Sequence, residues 1–116
     1  MQRTRTSYDR PEARRDRRYP LPSLRLTIGG QEYASANWSL GGFMLLDFDT
    51  PVRPGALLEG SFHFEGSHSL PFKAEVMRVG PAGGEIGARF RDLSEAAFDL
   101  LDRAILRKLF RPRAAG

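Results

Sequence analysis

Leu24, Leu26 and Ile28 alternate with Arg25 and Thr27 in the segment PSLRLTIGG, the period-two pattern of a half-buried strand. Gly29-Gly30 then supplies a tight turn, so QEYASANW is predicted to return antiparallel as one strand, residues 31–38. After SLGG comes the apolar run FMLLDF, and DTPVRPG interrupts it with two prolines and a glycine that forbid a continuous ladder. LLEGSFHF and LPFKAEVMRV follow, separated by the loop EGSHS. In the second of these, Phe72, Ala74, Val76 and Arg78 fall on one side and Lys73, Glu75, Met77 and Val79 on the other. GPAGG turns the chain into EIGARF. About six short strands with polar or glycine-rich turns between them predict a small antiparallel barrel or sandwich and argue against alternating β-α units.

The last stretch changes period. Ser94 stands as a helix cap with Glu95 in the first turn, and Ala97, Phe98, Leu101, Ile105 and Leu109 recur at steps of three and four on one face. Asp99 and Arg103 form an i,i+4 pair, and Arg107, Lys108, Arg111 and Arg113 suit the negative pole of the helix dipole. The predicted architecture is an all-β barrel with one C-terminal α-helix. A basic arm covers residues 1–19, barrel and helix cover residues 20–110, and residues 111–116 form a tail.

With 116 residues, 41% of them hydrophobic, the chain suffices for one domain and one core. It has no cysteine, which rules out a disulfide framework and a thiolate metal site. His63 and His68 lie near a loop with no carboxylate cluster beside them, so no zinc or histidine-based catalytic site is expected. Asp47 and Asp49 lack a nucleophile, base or metal ligand converging on them and read as a solvated strand end. No enzyme is expected. The longest apolar run is far shorter than the roughly 20 residues that span a bilayer, and the arginine-rich start lacks the apolar segment of a signal peptide. A soluble, cytoplasmic protein is the expectation.

The net charge of +4 is concentrated at one end. Residues 1–20 carry seven arginines against Asp9, Glu12 and Asp16, whereas the remainder balances eleven basic residues with eleven acidic ones. An arm of this kind can bind phosphate, nucleic acid or an anionic surface. Within it Arg14 and Arg18 stand four apart, as do Arg10 and Arg14. An arginine fork donates paired hydrogen bonds to a phosphate or to a guanine edge, and its flat face stacks on purines. Asn37 offers an amide, Ser39 a hydroxyl, and Gly41-Gly42 a backbone without side chains at the junction of two predicted strands.

Arg14-Arg15-Asp16-Arg17-Arg18, about twenty residues ahead of Asn37-Trp38-Ser39-Leu40-Gly41-Gly42, resembles the paired motifs Arg-x-x-x-Arg and Asp/Asn-x-Ser-x-x-Gly of the PilZ domain, a receptor for the bacterial second messenger cyclic di-GMP. The closing EIGARFRDLS is similar to that family's last strand. The resemblance implies a six-stranded antiparallel barrel with a helix over one end. It also implies a nucleotide site in which Arg14 and Arg18 grip the ligand, Asn37, Ser39 and Gly42 form its floor, and Arg15, Arg17 and Gly41 assist. By the same resemblance the ligand is cyclic di-GMP, with no cofactor or metal. The recipient is an unidentified effector protein in motility, exopolysaccharide secretion or surface attachment. A nucleotide-independent adaptor of a pilus or motility machine is the alternative. A barrel binding single-stranded nucleic acid is less well matched, since residues 21–116 carry no net charge to follow a backbone.

Overall fold

A computed structural model describes residues 17–109, with the side chains of Lys108 and Leu109 left aside. Arg10, Arg14 and Arg15 of the arm, and Arg111 and Arg113 of the tail, lie outside the described residues. Seven strands form one antiparallel sheet: β1 (Arg25–Ile28), β2 (Gln31–Ala34), β3 (Asn37–Trp38), β4 (Gly42–Leu45), β5 (Leu57–His63), β6 (Leu70–Val79) and β7 (Ile86–Leu93). One helix, α1 (Glu95–Leu109), follows them. The order across the sheet is β2-β1-β5-β6-β7-β4-β3. Its two edge strands are consecutive in the chain, so the sheet curls until its ends meet.

That closure explains why seven strands appear where six are expected. The segment 31–38 divides because neighbouring residues bond to opposite ends of the sheet. Ser35 N–H donates to Leu24 O at 2.8 Å, whereas Ala36 N–H donates to Met44 O at 2.8 Å. The Ser35 hydroxyl holds the corner by accepting from Leu24 N–H at 3.0 Å. The Gly29-Gly30 turn forms as expected, with φ of 61° and 83°, values that L side chains rarely adopt.

A β-bulge corrects the expected alternation in β6. Val76 pairs with Ala88 but Arg78 pairs with Gly87, so Met77 is an extra residue and the facing reverses beyond it. Arg78 is therefore exposed, and Val79 packs against the core. The core beneath the sheet is aromatic. Phe62 and Phe72 stack at 5.7 Å between ring centroids, and Phe43 meets Phe72 edge-on at 5.6 Å. Asp49, in the β4–β5 connection, accepts from the Tyr33 hydroxyl at 2.7 Å, which ties the β2 edge down. That hydrogen bond holds the Asp49 carboxyl below its usual range.

Ser94 caps α1 as expected: its hydroxyl accepts from Ala97 N–H at 3.1 Å. Asp99 and Arg103 pair at 2.9 Å. Ala97, Leu101, Ala104 and Ile105 are buried, and the helix closes one side of the core. Phe98, expected on that face, is instead 38% exposed, because the buried stripe runs through Ala104 and leaves Phe98 at its border. Leu101→Ala should therefore lower unfolding stability by about 2–5 kcal/mol, and Phe98→Ala by less than about 1 kcal/mol. Urea denaturation of both variants checks this; equal losses would contradict the orientation of the helix.

Candidate functional site

The site is built around an isolated bridge ahead of the sheet. Tyr19 N–H donates to Trp38 O at 2.8 Å and Trp38 N–H donates to Tyr19 O at 3.0 Å, so the chain pairs with β3 one residue before the boundary expected at residue 20. Alternation does the rest. Tyr19 and Trp38 turn inward with their ring centroids 5.4 Å apart, and Trp38 is fully buried, a core residue and not an exposed stacking platform. Its indole N–H donates to Pro22 O at 2.7 Å. Arg18, directly opposite Ser39 and diagonal to Asn37, then falls on the other face with both of them.

The Arg18 guanidinium donates to Asn37 Oδ1 at 3.0 Å. It is exposed, and among the described residues this is the one bond it makes, so the guanidinium has further donors for another acceptor. A neutral amide orients the guanidinium without cancelling its charge, as a carboxylate would. The Asn37 NH2 group faces Met44 Sδ at 3.5 Å.

Ser39 to Gly42 form the tight turn joining β3 to β4. Ser39 N–H donates to Gly42 O at 2.8 Å, and the Ser39 hydroxyl accepts from Gly41 N–H at 3.1 Å. Ser39 is buried, and among the described residues its hydroxyl donates to no acceptor, so the proton remains for one that reaches the turn. Leu40 is buried and anchors the turn. Gly41 O accepts from Phe90 N–H at 2.8 Å, which fastens it to β7. Gly42 is needed for packing: a Cβ there would collide with the Ala88 carbonyl and sit 3.0 Å from Arg89 Cα.

The turn borders an open cleft of about 1380 Å³ that also takes in β7, the Met77 bulge and the first turns of α1. Arg18, Ser39, Gly41 and Gly42 line it, joined by Arg78, Arg89 and Arg91. Asp92 at the end of β7 and Glu95 and Asp99 in the first turns of α1 line it as well. Arg78 pairs with Glu85 at 3.6 Å and Arg91 with Glu75 at 3.0 Å. Arg17 is exposed. The structure thus brings Arg18, Asn37, Ser39, Gly41 and Gly42 together, while Arg14 and Arg15 lie outside the described residues. The cleft arginines of β6 and β7 are not singled out by any motif. For Arg89 a signal does exist in EIGARF, where buried Ile86 and Ala88 leave Arg89 outward. No group of His, Cys, Asp or Glu suited to a metal occurs among the described residues, and no described helix is long and apolar enough to cross a membrane.

The chain matches the PilZ domain model over residues 10–107, a span that contains both motifs, and it belongs to the PilZ family. Members of that family are typically non-enzymatic receptor or adaptor domains for cyclic di-GMP. Among solved structures it is similar in fold to the Bacillus subtilis inhibitor of motility (MotI/DgrA), with 19% identity and a TM-score of 0.65. The similarity covers 83% of this chain and 51% of that one, so the chain spans about half the length of that relative. No curated protein matches the chain.

Gly42→Ala should cost about 3 kcal/mol or more, since β4 must part from β7 to make room. The comparison is thermal unfolding beside Gly29→Ala, where open space surrounds the added carbon and only backbone strain of about 1–2 kcal/mol is expected. A Gly42→Ala melt at the wild-type temperature would contradict the close approach of the two strands.

Proposed function

We propose that this chain is a non-enzymatic receptor for cyclic di-GMP that hands its response to a partner protein. The observation that carries the reading is the Arg18–Asn37 hydrogen bond, which joins the last residue of one family motif to the first residue of the other at the rim of a cationic cleft. Arg14 and Arg18 grip phosphate and guanine. Asn37, Ser39 and Gly42 supply the floor, with Arg15, Arg17 and Gly41 as auxiliaries.

The chemistry supports this division. A cyclic dinucleotide presents two phosphates and two purine faces within one compact ligand. Guanidinium groups serve both, as paired donors to phosphate oxygens and as flat cations on a purine. The Ser39 hydroxyl retains a proton for an oxygen acceptor, and the tied-down turn offers a surface that loses little entropy on binding. Bound nucleotide would draw the arginines towards the turn, and the altered surface beside β3 would carry the signal. The MotI/DgrA likeness supports motility control as the field of action, with exopolysaccharide and surface attachment as the others that the family suggests.

Isothermal titration of the folded chain with cyclic di-GMP tests the reading. Saturable binding is expected, weakened about tenfold or more by Arg14→Ala and by Arg18→Ala. Absence of binding by the folded wild type, or full affinity in both variants, would overturn it.

A further inference from the structure

Among the described cations of the cleft, Arg89 stands apart. Arg18 is held by Asn37, Arg78 by Glu85 and Arg91 by Glu75, but the exposed Arg89 side chain makes no hydrogen bond or ion pair among the described residues. The reason lies in the register of β7. Arg89 has Glu75 of β6 as its direct neighbour on one side and Gly42 of β4 on the other. Glu75 is the carboxylate placed to neutralise it. Arg91 takes that carboxylate instead, at 3.0 Å, after the β-bulge between Asp92 and Phe90 shifts it within reach. On the other side Gly42 has no side chain, and the Cβ position there lies 3.0 Å from Arg89 Cα. The guanidinium therefore rises beside the Ser39–Gly42 turn over bare backbone, facing the cleft.

We infer that Arg89 is a third guanidinium of the anion site, supplied by the barrel wall, which meets the ligand from the β7 side of the turn while Arg18 meets it from the β3 side. This rests on the receptor reading of the same cleft. β7 is an inner strand paired on both sides, so the stem of Arg89 is already fixed before any ligand arrives. An unpaired charge on a rigid strand beside a concave surface also raises the local anion concentration. The bond between Arg91 and Glu75 has a definite part here: it keeps a competing carboxylate away from Arg89.

Calorimetry of the whole chain with cyclic di-GMP at low and moderate salt tests this, using Arg89→Ala, Arg89→Lys and, as a control, Arg25→Ala on the far strand β1. Arg89→Ala should bind about tenfold or more weakly and with a shallower salt dependence. Arg89→Lys should fall between Arg89→Ala and wild type, because the charge stays and the fork is lost. Arg25→Ala should match wild type. Melting curves report whether each variant is folded, and Arg89→Lys decides the matter if the alanine variant is not. Wild-type binding with both Arg89 variants within about twofold of it would overturn the inference and leave the receptor reading standing. A folded wild type that does not bind would overturn both.

Discussion

Two backbone hydrogen bonds between Tyr19 and Trp38 decide where the functional residues stand. β3 has only two residues and forms one end of the sheet, so its outer edge would otherwise expose unpaired amide and carbonyl groups. Tyr19 covers that edge. Once the pairing is made, strand alternation requires Tyr19 and Trp38 to enter the core and Arg18, Asn37 and Ser39 to share the opposite face. Trp38 reinforces the arrangement through its ring contacts with Tyr19 and Phe64 and its bond to Pro22 O. A motif that looks in sequence like a charged tail is thereby fixed, at its last residue, to the barrel.

The same economy of parts shapes the rest of the cleft. Ser39 accepts from Gly41 N–H within the turn and keeps its proton. Asn37 steers Arg18 while leaving it charged, and Gly42 lets β4 lie against β7 so that the turn and Arg89 come close. Among the described residues the cleft's cations form a graded set: Arg18 oriented by an amide, Arg78 and Arg91 held by carboxylates, and Arg89 without a partner. A cleft with Asp92, Glu95 and Asp99 at the end of β7 and in α1, and with Arg18 and Arg89 beside the turn, favours an anion at the turn.

Much of this was legible in the sequence because it is local. Period-two runs located the strands, Gly29-Gly30 marked a hairpin, Ser94 announced the helix, and the spacing of the two motifs pointed to the family. What stayed hidden depends on partners distant in the chain. Nothing in QEYASANW says that Ser35 bonds to β1 and Ala36 to β4, which is why one expected strand became two. The bulge at Met77 arises from the pairing of β6 with β7, and it alone turns Arg78 outward. Phe98 fits the helical period yet lies at the border of the buried stripe, a matter of how far the barrel extends beneath the helix. The motif marks Gly42 as a place for a ligand to approach, but nothing local in it says that the same position lies against the backbone of β7.

Under the proposed function, Arg18, Asn37 and the Ser39–Gly42 turn act as one site for cyclic di-GMP. Amide and indole resonances of the isotope-labelled chain, followed during titration with that nucleotide, test it most directly. Shifts are expected at Arg18, Asn37, Ser39, Gly41 and Gly42 and at the Trp38 indole N–H, with β1 and the paired part of β5 unchanged. Unmoved resonances from Arg18 to Gly42 at excess nucleotide, or shifts confined to β1 and β5, would contradict it.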